Sequence, residues 1–333
     1  MARVAVVATG GTIGSKMGPE GRNVGASAQE LVDAAGAVWD LSGIEIVTRE
    51  PLRIISFAAT IPLILDLART VNELADDVDG IVITHGTDTL EETAMLLALS
   101  YRGSAPITVT GAQRPFDDPA CDGMRNLGSA IRWVASREAA GSGVTVTFAD
   151  KVIPAIGARK INSFGLAAFD APARGPIAWV DEVGIRRIAA AAVPTAIIAP
   201  ETTDLPRVDL VPQYLGADDW AVRAARESGA VGIVFEGFGA GDLTPPTSAA
   251  CREWLDDGGY VVAASRTGTG PVRGLYVGGA LDLEPHGLLY AGDLSPWQAR
   301  LVLAAVLSTT DDRETAIDRY RGWLAAAGAI AGH

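Results

Sequence analysis

Short, nearly uninterrupted β-branched runs, each ending in a glycine-containing turn and followed by a helical pattern, narrow the possible folds of this 333-residue chain more than any other feature. The runs are RVAVVAT (3–9), GIVITHG (80–86), PITVTGA (106–112) and GVTVTFA (143–149). Their apolar residues are consecutive rather than alternating, the pattern of strands covered on both faces. LEETAMLLALSY after the second run and GMRNLGSAIRWVASRE after the third read as crossover helices. Strands alternating with helices in this way imply a parallel sheet in an α/β domain.

The rhythm returns after residue 207 in RVDLVPQY, GAVGIVFEGFG and GYVVAASRTG, with helices expected near Asp218 to Ser228 and Pro246 to Asp257. A final helix opens in DLSPWQARLVLAAVL, where Ser295 can cap and Pro296 takes the first helical position. Between the two blocks, RRIAAAAVPTAIIAPETTDLP carries three prolines and no steady amphipathic period, so it reads as a linker. The expectation is two α/β domains: a larger N-terminal one over residues 1–187, mainly a parallel sheet flanked by helices, a linker over 188–206, and a smaller C-terminal parallel-sheet domain over 207–333. The chain length suits two domains.

Charge excludes some partners. A net charge of −13, a pI of about 4.7 and no run of Lys or Arg disfavour nucleic acid and anionic membrane surfaces. The longest apolar stretch, IAAAAVPTAIIAP, is broken by Pro194 and falls short of the roughly 20 residues that span a bilayer, so no membrane helix is expected. Met1-Ala2-Arg3 runs directly into the first strand without the pattern of a signal peptide. The two cysteines, Cys121 and Cys251, are far apart and suit reduced thiols better than a disulfide framework, so a cytoplasmic location is expected.

In open α/β sheets ligands bind outside the carboxyl ends of strands, so the residues just after each strand are the ones to inspect. The first end delivers Thr12 to the turn in ATGGTIGS. Its glycine spacing matches neither a dinucleotide fingerprint nor a P-loop. A glycine-rich turn can cradle an anion or simply reverse the chain; it can also present a hydroxyl beside backbone N–H groups, as an acyl-transfer nucleophile requires. The second end, THGTDT, places Thr87 and Asp88 before a helix; the third, GAQRP, carries Arg114, which reads as a loop ion pair; further on, GARKINS carries Lys160. Two hydroxyls, a carboxylate and an amine gathered in one crevice support attack on a small carbonyl compound. Which of Asp88 and Lys160 is the base stays open, because a neighbouring carboxylate favours the ammonium and burial favours the amine. His85, His286 and His333 are isolated and no H-x-x-x-H or C-x-x-C spacing occurs, so no metal or other cofactor is expected; His85 reads as a hydrogen-bonded structural histidine.

Taken together, ATGGTIGS, VITHGTDTLEETA, VTGAQRP and ARKINS with AAFDAPARGPIAWV resemble the bacterial L-asparaginase family, the homotetrameric threonine amidohydrolases. The likeness continues through GIVFEGFGAGDL, SRTGTGPV and LSPWQARLVLAAVL, so it spans nearly the whole chain. The resemblance implies that Thr12 is the acyl-accepting nucleophile and that Thr87, Asp88 and Lys160 form a second triad, with Asp88 also meeting a substrate α-amino group. It implies an α-carboxylate contact at Ser56, oxyanion and carboxylate contacts from backbone N–H groups near Gly11 and Ala112, and a reach of Asp242 into a neighbouring subunit's site. The implied activity is hydrolysis of the L-asparagine side-chain amide, without a cofactor, by a dimer of dimers. Three departures leave other amides open as substrates, among them D-asparagine, glutamine and β-aspartyl derivatives. The segment SKMGPEGRNVGAS, read as a mobile loop, lacks the family's tyrosine; Phe57 follows Ser56 where the family has a polar residue; and RTGTGPVRGLYVGG offers no counterpart to a second-domain glutamate. An ammonia-supplying amidotransferase subunit and a non-catalytic amino-acid-binding protein on the same fold are further alternatives.

Overall fold

The four apolar runs of the first block lie side by side in one sheet of the computed structural model, which describes residues 1–329. The chain folds as two units, Met1–Ala196 and the remainder from Ile197. In the first unit the elements follow as β1 (Ala2–Ala8), β2 (Ser15–Gly18), β3 (Gly21–Val24), α1 (Ala28–Gly36), β4 (Ile44–Arg49), α2 (Ile61–Leu74), β5 (Gly80–Thr84), α3 (Leu90–Ser100), β6 (Ile107–Thr110), α4 (Gly123–Val134), β7 (Val144–Phe148), β8 (Lys151–Pro154), β9 (Arg159–Lys160), β10 (Phe169–Asp170), β11 (Ala178–Asp181) and β12 (Gly184–Arg187).

The main sheet has the order β12-β11-β8-β7-β6-β5-β1-β4. From β4 to β7 every pairing is parallel; β8, β11 and β12 extend it antiparallel, so the sheet is mixed. The change of direction comes from the tight turn between β7 and β8, where Ala149 and Asp150 both have positive φ, 48° and 65°. Two such residues make a hairpin turn whose twist suits the flanking strands. Neither is glycine, and the conformation is held from outside: Asn126 Oδ1 accepts the Ala149 N–H at 3.0 Å, and Arg125 donates to both Asp150 carboxylate oxygens at 2.9 Å.

Strand alternation sends Val4, Val6 and Val82 to one face, where they join Leu31 of α1 and Leu127, Ile131 and Trp133 of α4 in a single apolar cluster. Ala5, Val7, Ile81 and Ile83 point the other way and are equally buried. Helix α3 packs on β6 and β7 and against α2. Both sheet faces are therefore covered, as the uninterrupted apolar runs require.

The second unit contains β13 (Val208–Pro212), α5 (Trp220–Glu227), β14 (Gly232–Gly237), α6 (Pro245–Asp256), β15 (Tyr260–Ser265), β16 (Leu289–Tyr290), α7 (Pro296–Leu307) and α8 (Arg313–Ala326). Its four strands are all parallel, in the order β13-β14-β15-β16. Ser295 caps α7 by accepting the Gln298 N–H at 3.2 Å, with Pro296 in the first turn, as the sequence predicts. Residues 188–207 form neither helix nor strand. Cys121 and Cys251 are both free thiols. No helix among the described residues is long and apolar enough to cross a membrane.

Candidate active site

The Thr12 turn begins where β1 ends, and backbone geometry explains its glycines. Gly11 has a φ of 78°, and a Cβ there would lie 2.4 Å from the Gly86 Cα, so only glycine fits. A Cβ on Gly86 would in turn lie 2.4 Å from Ser56 Oγ. The turn after β1 and the turn after β5 thus touch backbone to backbone at Gly11 and Gly86. Thr12 follows the first of these residues and Thr87 the second. Ser56 completes the junction: it is buried, and its Oγ accepts the Asp88 N–H at 3.3 Å.

Lys160 joins this group from β9. Its Nζ donates to Thr87 Oγ1 at 2.8 Å and pairs with Asp88 Oδ1 at 3.1 Å. Thr87 is only 5% exposed, whereas the Asp88 side chain is 55% exposed and keeps open carboxylate surface. Because the Thr87 oxygen accepts from Lys160, its own proton is available to a further acceptor. A hydroxyl, an amine and a carboxylate in contact are groups of the kind that can pass a proton among themselves.

The structure brings Thr87, Asp88, Lys160, Ser56 and Gly11 together. The N–H of Gly11 itself is donated to Ile54 O at 3.0 Å, so that hydrogen is already used within the fold. Ala112 is fully buried at the end of β6, in the cluster that holds Ile13. Phe57 follows Ser56 in the same short turn, but the residue is 73% exposed and turned to solvent rather than packed over Ser56. Arg114 is exposed and serves its own loop: its N–H donates to Asp122 Oδ1 and its guanidinium to Ala120 O. Asp242 lies in the second unit, after β14, where its Oδ1 accepts the Ala280 N–H at 3.3 Å.

The segment read as a mobile loop is a hairpin of β2 and β3. Asp117 pins it by accepting the Met17 N–H and a proton of the Arg22 guanidinium, both at 2.8 Å. Two further side chains were not singled out from the sequence. Gln113 Nε2 donates to the carbonyls of Ser163 and Gly165 at 3.1 and 3.3 Å and so holds the turn that follows Lys160. Glu91 accepts the backbone N–H of Lys160 at 2.7 Å. Gln113 lies within VTGAQRP and Glu91 within VITHGTDTLEETA, and membership of those motifs is the one sequence signal that points to them.

His85 has the structural role expected of it. It is fully buried, with Nδ1 2.6 Å from Thr9 Oγ1 and Nε2 3.1 Å from both Thr89 Oγ1 and Thr93 Oγ1. Thr9 donates its own proton to Thr84 O, so Nδ1 is assigned as the N–H and Nε2 as the acceptor. Thr89 spends its one hydroxyl proton on Ser56 O, so the hydrogen bond to Nε2 comes from Thr93 and the Thr89 oxygen only lies beside the ring. Burial holds the His85 pKa down to about 4, against an ordinary 6.5. The unfolded chain therefore takes up this proton first as pH falls. The stabilisation is complete above pH 6.5 and is lost on the way down to pH 4, by on the order of 3 kcal/mol. Urea unfolding at pH 7 and pH 4.5 measures it; the expected result is a markedly shallower pH slope in His85→Gln.

His286 pairs with Asp256 in the second unit, and His333 lies outside the described residues. Among the described residues no cluster of His, Cys, Asp and Glu could hold a metal ion.

Comparison with known proteins places this geometry in context. Residues 3–191 match the model of the asparaginase N-terminal domain, and residues 207–319 that of the glutaminase/asparaginase C-terminal domain. An L-asparaginase of Bacillus licheniformis is 31% identical over 317 residues, covering 92% of this chain and 96% of its own. A glutaminase-asparaginase of Pseudomonas fluorescens biotype A is 33% identical over 322 residues, covering 94% and 88%. The crystal structure named Probable Cytoplasmic L-asparaginase from Campylobacter jejuni superposes with a TM-score of 0.86 at 31% identity, covering 96% of this chain and 99% of that one. The chain belongs to the asparaginase family.

Proposed function

We propose that this protein is an L-asparaginase, converting L-asparagine to L-aspartate and ammonia through an acyl-enzyme on Thr12. The observation that carries the reading is the contact of Lys160 with both Thr87 and Asp88, on a turn that touches the Thr12 turn through Gly11 and Gly86. Thr12 Oγ attacks the side-chain amide carbon, and its proton passes to the Thr87–Lys160–Asp88 set. The C–N bond then breaks and the nitrogen leaves as ammonia with that proton. Water attacks the ester, its proton again taken by the set, and Thr12 is regenerated with release of aspartate. Backbone N–H groups near Gly11 and Ala112 stabilise the oxyanion, and Ser56 and Asp88 hold the α-carboxylate and α-amino groups of the substrate.

The enzyme acts in the cytoplasm as a dimer of dimers, with Asp242 contributing to a neighbouring subunit's site. An interfacial site of this kind leaves the isolated monomer inactive.

The decisive measurement is ammonia release by the purified protein across L-asparagine, D-asparagine, L-glutamine and β-aspartyl amides, ranked by kcat/KM. L-Asparagine is expected first. Glutamine is the nearest competitor, because one additional methylene changes selectivity by only about 1–3 kcal/mol. No release from L-asparagine would overturn the assignment; preference for another amide would keep the chemistry and change the substrate.

A further inference from the structure

The reaction uses the end of the Lys160 side chain, yet Nζ stays on Thr87 and Asp88 only if the backbone that carries it is fixed. Strand β9 is two residues long and pairs on one edge with β10, through Phe169 opposite Lys160 and Asp170 opposite Arg159. A ladder this short is weakly specified on its own. The Lys160 N–H is held instead by α3, where Glu91 Oε2 accepts it at 2.7 Å. Glu91 sits in the first turn of α3, three residues after Asp88. One five-residue segment, Thr87 to Glu91, therefore grips Lys160 at two points, its ammonium and its backbone.

We propose that Glu91 is a positioning residue for the amide hydrolysis, clamping the Lys160 backbone to the segment that carries Thr87 and Asp88 and so keeping Nζ on both. The proposal rests on the roles given above to Thr87, Asp88 and Lys160. It assigns to Glu91 work that a surface carboxylate at a helix N-terminus does not do.

The clamp is sensitive to protonation. Burial pushes the Glu91 carboxyl up to about 7, against the Lys160 N–H bond and the positive charges of Arg159 and Lys160 on β9, with Glu92 of its own helix raising it further. A carboxylate accepts an N–H more strongly than a protonated acid does. The grip therefore tightens as pH rises through 7.

Glu91→Ala and Glu91→Gln test this through kcat, KM and the pH profile of L-asparagine hydrolysis. Removing the acceptor in Glu91→Ala is expected to lower kcat by roughly 10- to 100-fold, since a displacement near 1 Å at a catalytic group has effects of that size. KM is expected to change by less than about threefold, because the substrate contacts of Asp88 and Ser56 are retained. Gln keeps a carbonyl oxygen for the N–H, so Glu91→Gln recovers most of the loss, but its kcat no longer rises through pH 7. A Glu91→Ala enzyme with wild-type kcat, or a Gln variant no better than Ala with an unchanged profile, overturns the proposal. A wild type inactive on every amide defeats the functional assignment instead; a crystal structure of Glu91→Ala then decides the clamp by itself, Lys160 Nζ displaced from Thr87 Oγ1 supporting it and Nζ unmoved overturning it.

Discussion

Replacing Thr12 by alanine is expected to lower kcat for L-asparagine by roughly a thousandfold or more, the scale on which enzymes lose rate when a covalent nucleophile is removed. The cost to the fold is expected to be small. Thr12 is half-buried in a three-residue turn, and the features that set that turn, the Gly11 backbone and the packing of Ile13, are untouched. Its melting temperature should stay within a few degrees, since a substitution away from the core typically changes stability by about 0.5 kcal/mol or less. Product binding separates this outcome from a collapsed site. Ser56, Asp88 and Lys160 remain in Thr12→Ala, so calorimetric titration with L-aspartate should give an affinity within about fivefold of wild type, uniform binding being independent of the nucleophile. Thr12→Ser keeps a hydroxyl and should retain measurable turnover. A Thr12→Ala protein with wild-type ammonia release would transfer the nucleophilic role to another group, and Thr87 is the first to examine.

The parts of this molecule that are legible in its sequence are those governed by local rules. β1, β5, β6 and β7 are visible because strands buried on both faces need consecutive apolar residues. The start of α7 is visible because Ser295 and Pro296 carry its cap and first turn in adjacent positions. The antiparallel extension is not, because its direction is decided by Ala149 and Asp150 in a conformation normally left to glycine or asparagine. Nothing in FADK announces such a turn; Arg125 and Asn126, about 25 residues away, impose it. β4 and the β2–β3 hairpin escape for a related reason. Their residues are mostly half-buried and mixed with polar ones, so no uninterrupted apolar run marks them, and the hairpin depends on Asp117 from a distant loop.

The site divides in the same way. Thr87 and Asp88 are contiguous and sit at a strand end, where α/β topology places ligand groups. Lys160 is more than 70 residues further on, tied to them in sequence only by the ARKINS motif of the family resemblance, and the contacts themselves are a property of the folded chain. Glu91 is harder still. In sequence it is one of two glutamates in the first turn of a helix, a position already explained by the helix dipole. Its hold on the Lys160 N–H is a property of the folded chain that its sequence position does not announce.

Substitution of Lys160 by methionine provides the second large effect, and its value lies in the separation of catalysis from stability. Methionine fills similar volume without the charge, so the Thr87 hydroxyl loses its donor and Asp88 its cation. Loss of a positioned acid–base group typically costs 10²- to 10⁴-fold in rate, and kcat should fall within about that range. The ion pair itself contributes little to folding. Asp88 is 55% exposed, and pairs with one partner this accessible are worth about 1 kcal/mol or less. A catalytic loss of several kcal/mol beside a stability loss near 1 kcal/mol cannot arise from unfolding, and comparing ammonia release with urea midpoints on the same preparations measures both. Lys160→Arg sharpens the argument. It keeps the positive charge for Asp88, but its planar guanidinium remains protonated at any working pH and cannot return a proton to Thr87. If Lys160 serves only to neutralise Asp88, arginine restores most of the rate; if it takes and returns a proton, Lys160→Arg stays nearly as slow as Lys160→Met. The second outcome is expected, because Nζ is in direct hydrogen-bond contact with the Thr87 oxygen at 2.8 Å.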